Sequence, residues 1–512
     1  MTEASSNSQL YEKGCAEAQR GATVADHRPI RNVRELCLNV GNVKHLGLIL
    51  LLASYIVWFI SLCMKLYYGY GYPPFDLAIF DQGLWLLSHF HAPFVTIMGR
   101  NLFGDHTSFI LLLFAPFYRL FPEPQGLLIL QTFLVAGAAI PIYILAQKLI
   151  RSTTIATLLV ATYLLNPMLQ QGNLDQFHPE AFQVLIISLA IYAAFERKPV
   201  MLVVMVALSL MVKEDAAMLV VPLGIWVVVR RDWRWGLLII GAAVAWAMAA
   251  NWLIIPGILG SSSFYAGRIP FGSFSGVFST VIHRPNQLLS YLGSQGRLFY
   301  LWQLGSTTGF VFLLAPEIAM IGILVVAENV LSTDPYMHQI LYQYSMPLAP
   351  VIVMGTVFAI ARQRSVRRRN ILTAVVVSAA LWSCLVWGYA PFSVNQLIPG
   401  WSPNSGAQAI NYVEQGLPPN AVVSAWYPLV SHIDHRAQVY VWPTPFSAQN
   451  WGLLNNTGAR LPMAKEVQYL VLPIVLGPSD YPKVFEGITS DYALIRSRGG
   501  FGLYLTKGGS GG

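Results

Sequence analysis

Three short stretches gather ionisable groups in a chain that otherwise avoids charge. PPFDLAIFDQGLW, Pro73 to Trp85, carries Asp76 and Asp81 directly after a long apolar run. A carboxylate held against apolar walls loses part of its hydration and can take a proton from a sugar or lipid hydroxyl. Five residues apart on one helix, the two lie about 140° apart around the axis, so one can face a cavity while the other faces elsewhere. The competing reading is that Asp76 caps the helix and Asp81 is solvated. GRNLFGDH and LDQFHPE add Asp105, His106, Asp175, His178 and Glu180. This mixture of imidazole and carboxylate suits zinc or manganese, and its carboxylates alone suit magnesium or calcium. The same groups serve equally as helix caps bonded to one another at a water boundary. MVKEDAAM places Lys213, Glu214 and Asp215 between two apolar runs. Three ionisable side chains at membrane depth are costly unless paired or facing a wet cavity. Lys213 is suited to contact a phosphate, and Glu214 or Asp215 to orient it.

Further cations stand in the connecting segments: Arg100, Arg268, His283, Arg284 and His338. A phosphate leaving group needs such groups to stabilise its developing charge, although a solvated loop Arg or His is common. HQILYQYSMPLAP adds Gln343 and Tyr344 at the head of an apolar run, where an interfacial aromatic belt is the competing role. The sequence contains no P-loop, dinucleotide-binding glycine pattern or serine nucleophile elbow.

The elements that must position these residues are membrane helices. Of 512 residues, 55% are hydrophobic and 11% charged, too apolar for a soluble enzyme of that length. The net charge of +8 falls in short clusters between apolar runs rather than along one face, which argues against a nucleic-acid partner. Cys15, Cys37, Cys63 and Cys384 lack the spacing of a disulfide framework or thiolate metal site. HRPIRNVRE, QKLIR, ERK, RRDWR and RQRSVRRR read as the cytoplasmic clusters. Spans consistent with them run over approximately residues 44–66, 125–148, 152–171, 180–196, 199–212, 215–230, 235–256, 297–314, 316–331, 343–361 and 371–390, about eleven crossings.

Residues 1–43 are then a polar cytoplasmic segment and 44–390 the all-α membrane domain. The apolar run TSFILLLFAPFYRLF would invert every later cluster if it crossed. It reads as a helix on the outer surface, and DLAIFDQGLWLLSHF as a second, amphipathic one begun by the prolines. Residues 391–506 change composition: SGAQAINYVEQG is a polar helix signal, and NAVVSAW, AQVYVW, VQYLVLPI, DYALIRS and FGLYL are strand-like. They predict a small extracytoplasmic α/β domain. Residues 507–512, ending in GGSGG, read as an appended tail.

FDLAIFDQGLW, FGDHTSFILLLFAPFYRLFP, DQFHPEAF, VKEDAAM and YQYSMPLAP, in that order, resemble the successive motifs of a bacterial membrane family catalogued as domain of unknown function 2079. The resemblance covers about residues 70–360. That family in turn resembles the GT-C superfamily of membrane glycosyltransferases. In that superfamily an aspartate at the start of the first outer juxtamembrane helix acts as base, a second surface helix follows, and the donor is typically a polyprenyl-phosphate sugar. By position Asp76 matches the base better than Asp81. Many members pair two acidic residues there, whereas Asp76 is followed by Leu77, so Asp105 or Asp175 would have to supply the partner, or there is none. The resemblance implies an inverting glycosyltransferase of the cytoplasmic membrane, acting at its outer face on an envelope glycan, lipid or protein acceptor. Lys213, Arg268 or His338 would hold the phosphate, while Asp105, His106, Asp175 and His178 shape the pocket or bind a divalent ion. The alternatives are a transporter or flippase of a lipid-linked sugar and a non-catalytic protein that binds envelope glycans. The sequence has no clear internal repeat of the kind transporters often carry.

Overall fold

Long apolar runs punctuated by proline, glycine and basic clusters become helices. A computed structural model describes residues 45–261, 265–397, 403–452 and 456–508; the polar segment expected over 1–43 and all but two residues of the expected tail lie outside them. The principal helices are α1 (Leu46–Tyr68), α2 (Leu77–Ser88), α3 (Ile110–Tyr118), α4 (Pro124–Ile150), α5 (Thr153–Leu164), α6 (Pro167–Asp175), α7 (Glu180–Phe195), α8 (Pro199–Leu210), α9 (Ala217–Arg230), α10 (Trp233–Leu259), α11 (Phe274–His283), α12 (Pro285–Leu292), α13 (Arg297–Ser306), α14 (Ile323–Leu331), α15 (Gln343–Ala361), α16 (Val366–Trp387) and α17 (Ser405–Glu414).

Among the described residues, five helices are long and apolar enough to cross a membrane: α1, α4, α10, α15 and α16. Other apolar runs form shorter helices. At about 1.5 Å per residue, the 16 residues of α7 reach about 24 Å, short of the roughly 30 Å of hydrocarbon. The run expected as one span over 152–171 breaks at Asn166, whose side chain caps α6 by accepting from Met168 N at 3.0 Å, while Pro167 starts the new helix. The runs expected over 297–314 and 316–331 are also broken, where Gly309 and Phe310 adopt positive φ and Pro316 follows.

Four of the five basic clusters meet at one end of the helices; HRPIRNVRE lies outside the described residues. Lys148 Nζ lies 2.6 Å from Glu196 Oε2, joining QKLIR to ERK; Arg231 sits over the Phe195 ring at 4.8 Å; Arg369 donates to the Ile150 carbonyl at 3.4 Å; and Arg230 and Arg362 both reach Glu317. The acidic and histidine motifs lie at the opposite ends of α7, α9 and α15.

Helix α3 fits its expected place on a surface: nine residues span only about 14 Å, and Leu112, Leu113 and Phe117 are exposed. Helix α2 does not. Its residues from Leu77 to Leu84 are all buried, so it is no helix lying on lipid. The C-terminal segment covers its polar side, where Gln82 Nε2 donates to Thr96 Oγ1 at 2.9 Å and to the Arg436 carbonyl at 3.1 Å.

That segment carries α17 and a five-stranded sheet, and each strand-like run holds one strand. A short antiparallel pair, β1 (Phe94–Val95) and β2 (Arg100–Asn101), precedes them in the chain. The sheet comprises β3 (Val423–Ala425), β4 (Val439–Val441), β5 (Tyr469–Pro473), β6 (Tyr492–Arg498) and β7 (Phe501–Thr506), in the order β4-β3-β5-β7-β6. The pairs β3/β4 and β3/β5 are parallel, with Val423 opposite both Val439 and Tyr469, while β7 runs antiparallel to β5 and β6. Val423, Val471 and Leu503 are fully buried in a core continuous with that of the helices, and from Leu48 onward the chain forms one unit. The segment expected as a loop between α10 and α13 contains α11 and α12, whose Phe274, Phe278 and Leu289 are exposed.

Candidate active site

A cavity of about 390 Å³ lies where helices begin. Asp76 immediately precedes α2, His178 and Pro179 lead into Glu180 of α7, Lys213 precedes the short turn Glu214–Ala216 that opens α9, and Gln343 opens α15. Asp76, His178, Pro179, Glu180, Lys213 and Gln343 all line the cavity. Helix N-termini carry partial positive charge and unpaired N–H groups, so several turned toward one space favour an anionic ligand.

Asp76 occupies the N-cap position of α2, where an aspartate ordinarily accepts from the helix backbone. Gln176 replaces it as the cap, since its Oε1 accepts from Leu77 N at 2.8 Å and its amide nitrogen donates to the Phe75 carbonyl. The Asp76 carboxylate turns instead to His178, with Oδ2 2.8 Å from Nε2. His178 is itself held by its backbone N–H, which donates to Gln131 Oε1 at 2.8 Å, and by the edge of Phe80. The His178 side chain is 2% exposed and that of Asp76 40%, so the carboxylate is the member of the pair that a ligand meets. Burial alone would raise the Asp76 pKa; the hydrogen bond and charge of His178, with His106 and Lys213, outweigh it and hold the group below the usual carboxylate value. Burial alone would lower the pKa of His178, but Asp76 lifts it to about 9. The pair is therefore carboxylate and imidazolium at neutral pH.

Paired charges make up the rest of the wall. Arg100 Nε donates to Asp105 Oδ1 at 2.7 Å, Lys213 Nζ to Glu180 Oε1 at 2.9 Å, and Arg268 lies 2.8 Å from Asp334 Oδ2. His106 Nδ1 is 2.6 Å from Glu214 Oε1, and Thr107 N donates to the other oxygen of that carboxylate at 3.1 Å. Tyr265 ties the pairs together: its ring stacks on His106 at 4.6 Å, its hydroxyl donates to Asp105 at 3.1 Å, and Arg268 lies over its face at 4.4 Å. Lys213 also lies 5.6 Å over the Tyr344 ring. Burial would lower its pKa, but Asp215, Glu180 and Glu214 outweigh burial and keep the ammonium charged.

Arg100, Asp105, His106, Arg268 and Tyr344 complete the set of expected residues lining the cavity. Glu214 stands behind His106, and Asp215 lines a narrow annex of about 40 Å³ beside Lys213, together with Glu328 and Asn329. The remaining expected residues are not among the described residues that line the cavity. Asp81 neither lines the cavity nor is solvated: it is fully buried, accepts from Tyr118 Oη, and lies 2.7 Å from His435 Nε2. Asp175 stands outside, with burial first and then Asp76 and Glu180 raising its pKa to about 6 against the pull of His178. His283 and Arg284 are exposed at the junction of α11 and α12, and His338 is buried elsewhere.

The expected metal ligands do not converge on one point. Asp105, His106, His178 and Glu180 are engaged with Arg100, Glu214, Asp76 and Lys213, so the residues present do not fit a metal ion held by that set. Tyr265, Tyr336 and Asn450 line the cavity without having been singled out in the sequence. Each lies in a polar stretch where nothing local distinguishes it.

No curated protein matches the sequence. Two solved structures of ArnT from Cupriavidus metallidurans, one bound to undecaprenyl phosphate and one in the apo state, align with 88% of this chain and 98% of theirs. Their identity to this chain is 11% and 12%, and the TM-score is 0.48 for both. The family described as Predicted membrane protein (DUF2079) matches residues 71–467, a range that contains every cavity residue named above, and the protein belongs to that family.

Proposed function

We propose that the protein is a membrane glycosyltransferase that moves a sugar from a polyprenyl-phosphate donor to an acceptor hydroxyl at the extracytoplasmic face of the cytoplasmic membrane. One observation carries this reading: a single cavity joins a partly exposed, His-oriented carboxylate to buried cations and helix N-termini. The family's own resemblance to the GT-C superfamily supports it. The donor phosphate would sit among Lys213, Arg268 and the helix starts, which stabilise its charge as the bond to the sugar breaks. The acceptor hydroxyl, hydrogen-bonded to Asp76, attacks the anomeric carbon from the opposite face. The new C–O bond forms as the old one breaks, its electron pair leaves on the polyprenyl phosphate, and the hydroxyl proton passes to Asp76. Configuration at the anomeric carbon inverts. His178 keeps Asp76 aimed and ionised.

Purified protein incubated with a panel of polyprenyl-phosphate sugars should release polyprenyl phosphate. Asp76→Asn should lower that rate by about 10²–10⁴, the range of general-base catalysis. It should leave the protein folded, because Gln176 satisfies the start of α2 and an asparagine amide can still hydrogen-bond the His178 imidazole, which gives up its proton once the Asp76 charge that raises its pKa is gone. Full activity in Asp76→Asn would remove Asp76 as base. Movement of labelled lipid between leaflets without turnover of any donor would favour transport over transfer.

A further inference from the structure

A second cluster lies on the far side of α2 from the cavity, at the seam with the C-terminal segment. Asp81 of α2, Asp434 and His435 each offer a ligand atom, and these atoms lie within 4.8 Å of one another. Asp81 is fully buried and Asp434 is 1% exposed. The Asp81 Oδ2 is 2.7 Å from His435 Nε2, and Tyr118 Oη bonds Asp81 Oδ1 and lies 3.0 Å from His435 Nε2. Among the described residues, no donor reaches the buried Asp434 Oδ2. The neighbouring guanidinium does not serve it: Arg436 donates to the carbonyls of Ile433, Ala421 and Pro418.

Two carboxyl groups out of water and in contact cannot both stay ionised unless positive charge matches both, and the His435 imidazole, 2.7 Å from Asp81, could match only one. A proton would serve one of them, whereas a divalent cation would serve both. One imidazole nitrogen and two carboxylate oxygens form a donor set for zinc or manganese. The His435 side chain is 28% exposed and gives the site a path to solvent. We infer that Asp81, Asp434 and His435 bind a divalent transition-metal ion of the zinc class, which fastens the C-terminal segment to the helix that begins at Asp76. The site does not depend on the transfer reaction, and its test does not use activity.

The full chain, purified without chelator or metal-affinity resin, should retain about one zinc per molecule by mass spectrometry of the elements. Dialysis against EDTA should lower its unfolding temperature, and zinc chloride should restore it. Asp434→Asn and His435→Gln should each lose the ion and the response to zinc, while Asp105→Asn and His106→Gln keep both. Wild-type protein that holds no metal and unfolds at the same temperature with and without zinc would overturn the inference, whether or not the variants fold. So would loss of zinc in the Asp105 or His106 variants alone, which would place the ion in the cavity. An Asp434→Asn protein that matches or exceeds the stability of metal-free wild type, with no zinc response in either, would identify a shared proton instead.

Discussion

The pairing of Asp76 with His178 predicts the pH dependence of the reaction. Consider His178→Gln, which keeps a polar side chain of similar reach and removes the positive charge. In the wild type, burial would raise the Asp76 pKa, but His178, helped by His106 and Lys213, outweighs it and holds the pKa below its usual value, so activity lost on protonating Asp76 should fall off only at low pH. A hydrogen bond to a charged group contributes about 1.5–3 kcal/mol. The Asp76 side chain is 40% exposed, so solvent screening favours the lower end, about 1.5 kcal/mol. The sign is set by which form His178 favours: it stabilises the carboxylate, so its removal raises the Asp76 pKa and moves the acid limb upward. A pH–rate profile of polyprenyl-phosphate release, carried down below the usual carboxylate range, should show that limb shifted upward in His178→Gln. An acid limb that stays in place would mean that His178 does not set the ionisation of Asp76. A limb that moves down would reverse the electrostatic argument altogether.

Two further substitutions test the frame that holds the site. Lys213→Met leaves Glu180 buried without its partner and should destabilise the protein by about 3–5 kcal/mol in thermal or denaturant unfolding. Adding Glu180→Gln should recover most of that loss, and a double variant as unstable as the single one would show that the pair is not what matters. Gly99 has φ of +67°, and a Cβ there would fall 2.3 Å from Trp451 Cδ2. Gly99→Ala should therefore cost about 2 kcal/mol or more and expose the C-terminal segment to limited proteolysis, whereas an unchanged cleavage pattern would show that the contact is slack.

Helix starts were legible in the sequence because the residues that interrupt apolar runs, proline and the charged groups of LDQFHPE and VKED, are also those that begin helices. That is why Asp76, His178, Glu180, Lys213 and Gln343 emerge on one cavity. Their partners were not legible. His106 finds Glu214 at a distance of 108 residues in the chain, and Asp76 finds His178 at 102, separations that no local pattern encodes. The capping role expected of Asp76 fell to Gln176 for the same reason. Asp81 shows both sides of the matter. The angle between positions five apart correctly separates it from Asp76, but its partner His435 lies 354 residues away in the C-terminal segment, beyond any local pattern. The stretch that carries His283 and Arg284 reads as a connecting segment because it is rich in glycine and serine, whereas Ser273 caps α11 through its side chain and an amphipathic helix follows.

The pairing also bears on which cation a phosphate would meet first. Every cavity cation has a carboxylate beside it, so an anionic ligand must compete with an internal one for each positive group. Lys213 is poorly placed for that competition: its side chain is 8% exposed and it is held at 2.9 Å by Glu180 and at 3.4 Å by Asp215. Arg268 is 30% exposed, is matched by Asp334 alone, and rests between the Tyr265 and Tyr344 rings, 4.4 and 6.0 Å away. Its planar fork has donors enough to bind a phosphate without releasing Asp334. Lys213, with two carboxylates already upon it, carries little net charge to offer a phosphate. If the proposed transfer takes place, Arg268 would therefore make the direct contact with the phosphate, and Lys213 would keep Glu180 and Asp215 in place beside it.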